Sequence, residues 1–337
     1  MNGKPLVYLE GVVDQRVGDA GQVILVNCTG IRVENINLSR TSVGVELWKT
    51  RNTIISGSNI ENNHVGVWLY EPSNNTICGC TITTNNYYGI WLEYSSNNSI
   101  FHNNLIDNAR RVYSVELINI WDDSYPSGGN YWSDYNGTDL FSGSYQNETG
   151  SDGIGDAPYI IDENNVDRYP LMGPFNSFNT SVEYSVNIIS NSTIEDFKYF
   201  NSNNTIVMYV SNITANQTVG FCRLTIPHDV MSPPYTVKVD DTIINFQTIY
   251  ENYTEGISII YFTYEHSKLE ITIISEYPSM TIMLLLSATL VTTALTKRKF
   301  KRENVSKNPK HNPIFKIKLQ RELPNTPTHI KTINNCE

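Results

Sequence analysis

Cysteine is scarce in this chain of 337 residues, and its few positions form no pattern. The five residues are Cys28, Cys78, Cys80, Cys222 and Cys336. An odd and scattered set of this kind gives no disulfide framework. Cys78 and Cys80 lie two apart, which predicts that they share one face of a strand, but no further Cys or His recurs beside them to complete a metal site. We therefore expect buried thiols in the wall of the fold.

Positive charge is also scarce over most of the chain. The sequence has 24 Lys and Arg against 34 Asp and Glu, a formal net charge of -10. Eleven of the basic residues but only three of the acidic ones follow position 296, so residues 1–296 carry a net charge of -18. Such an acidic body repels nucleic acid, and we expect no nucleic-acid partner. At this length and with 40% apolar residues, the chain can bury a core and hold more than one domain.

We expect no signal peptide at the start of the printed sequence, because Met1–Val7 opens directly on a strand-like run. At the other end, the charge-free stretch Met280–Thr296 is near the lower length limit for crossing a bilayer. A basic cluster begins at Lys297, and Lys and Arg on one flank mark that side as cytoplasmic. We predict a transmembrane helix over 278–296, an extracellular body and a basic cytoplasmic tail over 297–337. The alternative is a buried core helix.

Asn-x-Ser/Thr sequons, the acceptor sites of N-glycosylation, agree with an extracellular body. Only Asn304 follows the predicted anchor. The candidates that precede it are Asn27, Asn37, Asn74, Asn97, Asn136, Asn147, Asn179, Asn191, Asn203, Asn212, Asn216 and Asn252.

A motif of the form Gly-apolar-x-Leu recurs at Gly44, Gly66 and Gly89, spaced 22 and 23 residues apart. A period of this length is typical of a unit that buries its apolar face only by stacking on a neighbour. Apolar residues alternate within each unit, as in Val45 and Leu47, which predicts two or three short strands joined by Asn, Ser and Gly corners. At least four such units, stacked in register, predict a parallel β-helix.

Asparagine recurs at the same spacing. The positions are Asn52, Asn75 and Asn98, and Asn62, Asn63, Asn85, Asn86 and Asn108. Asn tolerates left-handed backbone at tight corners, and stacked Asn side chains can hydrogen-bond along the stack. We interpret these residues as corner residues rather than as a ligand site.

Because an uncapped coil end exposes unpaired backbone groups, we also expect a leader and further coils before Met1.

With coils, anchor and sequons in place, the chain resembles archaeal surface proteins with NosD-like right-handed parallel β-helix repeats, relatives of carbohydrate-binding and sugar-hydrolase β-helix proteins. The most specific matching segments are 125–135, 152–159 and 169–175. The resemblance implies an all-β chain: right-handed solenoid coils over 1–118, a capping segment over 119–175 and a β-sandwich-like domain over 176–276, followed by the anchor. The missing leader and the long basic tail depart from such proteins.

Outward-facing residues of the first strand in each coil form the candidate binding site. Adjacent coils stack about 4.8 Å apart, so two columns of these residues predict a continuous aromatic strip edged by carboxylates. The columns are Glu46, Trp68 and Trp91, and Trp48, Tyr70 and Glu93. Aromatic faces that pack on sugar rings, beside carboxylates that accept hydroxyl hydrogen bonds, are typical of a glycan groove. The alternative is that an insert or a neighbouring subunit covers the strip.

Catalysis by these carboxylates is disfavoured. Glu46 and Glu93 stand two coils and two residues apart, about 12 Å by strand and sheet spacings. The carboxyl pairs of glycosidases lie about 5–9.5 Å apart, and no His or Lys base joins this pair in register. We therefore expect a non-enzymatic, anchored surface protein that binds extracellular polysaccharide or other envelope proteins. The alternative is an anchored polysaccharide hydrolase or lyase.

A Gly-rich acidic segment after the coils offers a metal candidate, because crowded carboxylate and amide oxygens suit Ca²⁺. The candidate ligands are Asp152, Asp156, Asp162, Asn164 and Asp167. Their spacing does not match the twelve-residue helix-loop-helix site. The sequence therefore leaves two hypotheses, a structural calcium site or ordinary turns in which these side chains hydrogen-bond to the backbone. Copper, which the NosD resemblance implies, has little support, because the six His residues form no close pair and Met is sparse.

Overall fold

The computed structural model describes residues 3–114, 117–265, 268–275, 291–293 and 295–298. Up to residue 275 the described chain consists of strands, bends and turns, as the periodicity predicts. Within the described part, no helix combines the length and the apolar character that crossing a membrane requires. Most of the predicted anchor, 278–296, and nearly all of the tail, 297–337, lie outside the described residues.

Sixteen strands build the coils. They are β1 Leu6–Glu10, β2 Arg16–Val17, β3 Gln22–Val26, β4 Arg32–Glu34, β5 Asn37–Ser39, β6 Val43–Trp48, β7 Ile54–Ser56, β8 Asn59–Glu61, β9 Val65–Tyr70, β10 Thr76–Cys78, β11 Thr81–Thr83, β12 Tyr88–Glu93, β13 Ser99–Phe101, β14 Asn104–Ile106, β15 Val112–Ser114 and β16 Tyr131–Trp132. They form three parallel sheets, in the orders β1-β3-β6-β9-β12-β15, β13-β10-β7-β4-β2 and β16-β14-β11-β8-β5. Each full coil contributes one strand to each sheet, which confirms the predicted parallel β-helix.

The register places equivalent residues of the repeat directly above one another. Val45 pairs with Val23 on one side and with Val67 on the other. Side chains at these positions point inward, and Val45 and Leu47 are fully buried. The same stacking occurs in the other two sheets, so the core is one continuous apolar column along the axis.

The cysteines of the described residues differ in how deeply they are buried. Cys28, Cys80 and Cys222 are buried, and burial raises the pKa of Cys80 to about 12. The prediction that Cys78 and Cys80 share one strand face is wrong. Strand β10 ends at Cys78, and Gly79 turns the chain in a left-handed conformation with φ 62°, so Cys80 joins the core while Cys78 stays half-buried outside it.

Apart from the exposed Asn86, the Asn residues at the coil corners fall into two groups. Asn52, Asn62, Asn74 and Asn97 adopt positive φ at exposed corners, as corner chemistry predicts. A second group is buried and hydrogen-bonded from coil to coil. Its amides form ladders such as Asn63–Asn85–Asn108, in which the Asn85 Oδ1 accepts from the backbone N–H of Asn63 at 2.9 Å and the Asn85 Nδ2 donates to the Asn108 Oδ1 at 2.8 Å.

Residues 119–175 extend these ladders past the last coil. Their short strands after β16 are β17 Phe141–Ser142, β18 Glu148–Thr149, β19 Tyr159–Ile160 and β20 Val166–Asp167. Trp121 and Trp132, each 1% exposed, join the end of the coil core. Their indole N–H groups donate to Asn165 at 3.0 Å and to Asp167 at 2.8 Å. The segment therefore supplies both apolar cover and hydrogen-bond partners to the end of the helix.

The following strands are β21 Phe175–Asn179, β22 Ser185–Ser190, β23 Ser192–Phe200, β24 Thr205–Asn212, β25 Val219–Pro227, β26 Tyr235–Val239, β27 Thr242–Ile244, β28 Gln247–Asn252, β29 Ile257–Glu265 and β30 Leu269–Ser275. They form two antiparallel sheets, β21-β22-β25-β29-β28 and β23-β24-β30-β26-β27, which contribute to one apolar cluster. Met1–Tyr277 is nevertheless one compact unit, so a separate β-sandwich domain stays a prediction. The buried Arg223 of β25 donates to the Asp152 carbonyl at 2.7 Å and to that of Pro126, which joins this part to the capping segment.

Candidate ligand-binding surface

Strands β6, β9 and β12 position the candidate site on the outer face of the first sheet. Glu46 pairs with Trp68, which pairs with Trp91, and Trp48 pairs with Tyr70, which pairs with Glu93. The structure therefore brings the two predicted columns together, side by side. All six side chains are half-buried, while the residues between them in sequence face the core.

The rings of the two columns touch one another. Trp48 and Tyr70 stack, with centroids 4.1 Å apart and planes 22° apart, and Trp68 lies 5.7 Å from Trp91 and 6.3 Å from Trp48. Separations of 4.5–7 Å are usual for interacting aromatic pairs. We call these four rings, with Glu46 and Glu93 at diagonally opposite corners, the aromatic strip.

Further rings widen the strip on the side of the following coil, and sequence reasoning missed them. Tyr88 and Tyr113 lie 5.3 Å from Trp91, and the Arg110 guanidinium lies 5.2 Å from the Tyr87 ring and 5.4 Å from the Tyr88 ring. The sequence does contain a signal for the two tyrosines, because Tyr87-Tyr88 precede Gly89 just as His64-Val65 precede Gly66 in the previous copy of the repeat. An alignment of the repeat extended two residues upstream would have included this pair.

Two polar features of the strip lack partners. The Glu46 side chain makes no ion pair and no hydrogen bond among the described residues, and burial raises the pKa of its carboxyl group. The indole N–H groups of Trp68 and Trp91 are buried and also have no acceptor in the described part of the chain. A buried donor without a partner costs about 1–3 kcal/mol. The strip therefore holds two buried donors and one half-buried acceptor without protein partners among the described residues, beside half-exposed rings.

The calcium candidates do not converge in the structure. Each of the four carboxylates accepts backbone N–H groups of its own neighbourhood: Asp152 from Ile154, Asp156 from Leu140 and Phe141, Asp162 from Asn164 and Asn165, and Asp167 from Asn130 and Tyr169. In the described ranges, no three His, Cys, Asp or Glu side chains form a group that could hold a metal ion. Structural calcium therefore stays a prediction.

Ten of the twelve sequon asparagines before the predicted anchor are exposed. The other two are half-buried, with their amides already engaged. Asn191 donates to the Val219 carbonyl at 3.1 Å, and Asn252 donates to the Tyr250 hydroxyl at 3.0 Å. Glycosylation at those two would replace one Nδ2 hydrogen and compete with these hydrogen bonds.

The register, the three parallel sheets and the continuous core define a parallel β-helix protein. A family model described as periplasmic copper-binding protein (NosD) matches residues 13–137, so the coils are similar to those of that family. No curated protein matches the chain.

Solved structures offer distant likenesses. A double mutant of the periplasmic alginate epimerase AlgG is 19% identical with a TM-score of 0.23, over 33% of this chain and 36% of that chain. A single mutant of the same epimerase is 20% identical with a TM-score of 0.23, over 33% and 35%. The Dettilon tailspike protein (gp208) is 13% identical with a TM-score of 0.20, over 79% and 64%. This chain thus spans about a third of the length of the epimerase.

Proposed function

We propose that this β-helix protein is an envelope protein whose aromatic strip binds extracellular polysaccharide without modifying it. The observation that carries the proposal is the contact of four half-exposed rings across three successive coils, with Glu46 and Glu93 at the corners. A sugar ring has apolar C–H faces and a rim of hydroxyl groups. Flat aromatic faces bind the former, and carboxylates accept hydrogen bonds from the latter.

The unpaired Glu46 carboxylate supports the same ligand class. It is half-buried and makes no hydrogen bond among the described residues, so a sugar hydroxyl can donate to it. The strip runs across the strands, so a bound chain would lie along the β-helix axis and contact one coil every ~4.8 Å. A linear polysaccharide suits this site better than a compact ligand.

The double substitution Trp68→Ala/Trp91→Ala tests the proposal. Loss of two ring contacts of about 0.5–1.5 kcal/mol each weakens affinity by about 5- to 150-fold. Retention on a panel of insoluble and immobilised polysaccharides measures the change. Tyr253→Ala, which removes a 71% exposed ring outside the strip, is the matched control. Unchanged retention of the double variant, with circular dichroism like that of the parent, would overturn the proposal.

The absence of catalysis is part of this proposal. Glu46 and Glu93 are separated by two strand spacings and two residues, about 12 Å, which is too far for a pair of carboxyl groups that cleave one glycosidic bond. The competing function is a polysaccharide hydrolase or lyase. Release of new reducing ends, or of unsaturated products that absorb near 230 nm, from any polysaccharide that the strip retains would favour the enzyme.

A cell-surface location completes the proposal: the body outside the cell, a single anchor over 278–296 and a cytoplasmic tail. The charge-free stretch and the basic cluster at Lys297 support it. Protease treatment of intact cells tests it, because the body should be digested while an epitope in the tail stays protected. Recovery of the full-length protein in the soluble fraction would contradict the anchor.

A further inference from the structure

A second cavity lies away from the aromatic strip, where strand β21 runs beside the sheet that contains β7 and β10. Its volume is about 460 Å³, within the usual range for ligand pockets. Cys78, Gly79 and His102 line it from the coils, and Asn176 and Asn187 line it from the antiparallel sheet. We call this cavity the corner groove.

Missing side chains at one corner of the coils open the groove. The residues that directly follow the second strand of successive coils are Asn35, Gly57, Gly79 and His102, and all four adopt left-handed backbone with φ between 56° and 62°. The Asn35 side chain lies beside Gly57, where an added Cβ would meet its Oδ1 at 2.4 Å, so the trough opens beside Gly79. A Cβ at Gly79 would meet no atom closer than 3.8 Å, so the space beside it is open.

The chemistry of the groove is polar and uncharged. Its lining contains no Asp, Glu, Lys or Arg, and burial lowers the pKa of His102, which keeps that ring neutral. Four of its polar side chains make no hydrogen bond among the described residues. They are Asn35, Ser56, Ser177 and Asn187. Amides and hydroxyls in this number match the hydroxyl groups of a neutral sugar, because both partners donate and accept.

One end of the groove adjoins a smaller and more apolar cavity of about 170 Å³. Both cavities share His102, Phe175 and Asn187. The smaller one is otherwise lined mainly by apolar or aromatic residues, and Glu255 also lines it; the apolar and aromatic residues are Ile189, Ile257, Ile259, Pro126 and Tyr250. His102 stacks on Phe175 at the junction, with ring centroids 4.4 Å apart. A ligand that fills both cavities therefore has a polar body and one apolar end.

We propose that the corner groove is a second binding site, which takes a short neutral oligosaccharide whose less polar end, such as a deoxy, methyl or acetyl group, enters the small cavity. The site is independent of the aromatic strip, since no residue belongs to both. Acidic sugars are excluded, because no Lys or Arg lines either cavity and the Glu255 carboxylate lines the smaller one.

Cys78 provides a reporter for this site. Its thiol lines the groove and is half-buried, whereas Cys28, Cys80 and Cys222 are fully buried. The experiment uses the full chain with Cys336→Ser, made without N-glycosylation because Asn179 lines the groove and begins a sequon. Alkylation of Cys78 is followed by mass spectrometry at mildly alkaline pH, because burial raises the pKa of that thiol.

The probes are neutral tri- and tetrasaccharides of glucose, mannose, xylose and rhamnose, with trigalacturonate as the acidic comparator. At ten times its Kd, a neutral probe should slow alkylation about tenfold, since only about one protein in eleven remains unliganded. Trigalacturonate should leave the rate unchanged. No protection by any neutral probe, or equal protection by trigalacturonate, would overturn the proposal.

Gly79→Asn is the blocking variant. Asn35 shows that this corner accepts Asn in left-handed backbone, and the open space beside Gly79 admits the side chain. The variant should abolish protection while melting like the parent. Gly11→Asn, at a left-handed glycine with no atom within 4 Å and outside the groove, is the matched control. Titration calorimetry on both variants repeats the comparison without the thiol, and full binding by a folded Gly79→Asn protein would refute the site.

Discussion

The glycine that opens each copy of the repeat is required by space rather than by backbone conformation. Gly44, Gly66 and Gly89 do not have positive φ. A Cβ on Gly66 would meet the carbonyl oxygen of Gly89 at 2.5 Å and the side chains of Asn85 and Ile82 at 3.0 Å. The coils therefore approach one another too closely at this point of strands β6, β9 and β12 for any side chain, and each glycine lies directly against the next coil.

Gly66→Ala should destabilise the protein by about 1–3 kcal/mol, the usual cost of overpacking a filled interior. Urea unfolding measures the change. Gly18→Ala is the matched control, because its φ is not positive and a Cβ there meets nothing within 4 Å. Equal stability of the two variants would show that the coils separate easily at Gly66.

At the scale of the element, amide ladders hold the stacked strands in register. Asn85 serves three groups: its Oδ1 accepts from the Asn63 N–H at 2.9 Å, and its Nδ2 donates to the Ile60 carbonyl at 3.1 Å and to Asn108 at 2.8 Å. All of these groups are buried. A ladder of this kind satisfies the corner backbone that the sheets leave unpaired.

Asn85→Ala should cost about 2–5 kcal/mol, because two or more buried polar groups lose their partners at about 1–3 kcal/mol each. The neighbouring Asn86 is exposed, and its side chain makes no hydrogen bond among the described residues. Asn86→Ala is therefore the control and should change the midpoint of thermal unfolding little. A similar loss in both variants would mean that the ladder adds nothing beyond corner geometry.

In the coils, the features that could be predicted from the sequence are those that repeat from coil to coil. Period and alternation predict the strands, the register of Val45 over Val23, and both columns of the aromatic strip, because each follows from counting residues. Contacts between distant segments could not be derived in this way. Asn104 binds the backbone of Phe175, 71 residues later, at 2.7 and 2.9 Å, and such contacts build the corner groove. Turns decided by one residue were also missed, as the change of face at Gly79 shows.

At the scale of the whole molecule, a buried cation connects the capping segment to the antiparallel sheets. Arg223 is 1% exposed, and its guanidinium lies 4.0 Å from the buried carboxylate of Asp152 in addition to its bonds with the two carbonyls. Burial raises the pKa of Asp152 despite this cation. Each of these two charges therefore offsets part of the free-energy cost of burying the other.

Arg223→Met should destabilise the protein by about 3–5 kcal/mol, because it leaves a buried carboxylate without its cation. Asp152→Asn in the same chain should restore part of the loss, which separates the charge effect from packing. Arg16→Met removes a 66% exposed partner of Glu34 and should change stability little. Urea unfolding of the four proteins provides the comparison, and no rescue by Asp152→Asn would assign the loss to packing alone.

The end of the coil column also makes the stability of the molecule depend on pH. Burial raises the pKa of Asp167 to about 7, although hydrogen bonds from Asn130 and Trp132 lower it, and burial raises the pKa of Asp139 to about 7 as well. Both values are above the ordinary value of 3.8. The folded state therefore binds these protons more tightly than the unfolded chain, and the stability they contribute is present below pH 4 and is lost as the pH rises through 7.

The melting temperature should accordingly fall between pH 5 and pH 8, against the usual rise for a protein whose carboxylates are ion-paired. Asp167→Asn should flatten this dependence, because it removes one of the two titrating groups while Asp139 retains its share. The slope of the melting temperature against pH is the measurement, since the substitution also shifts stability at every pH by replacing an acceptor of the Trp132 N–H. A parent protein that melts higher at pH 8 than at pH 5, or a variant with an unchanged slope, would show that the Asp167 carboxylate is already ionised in the folded protein.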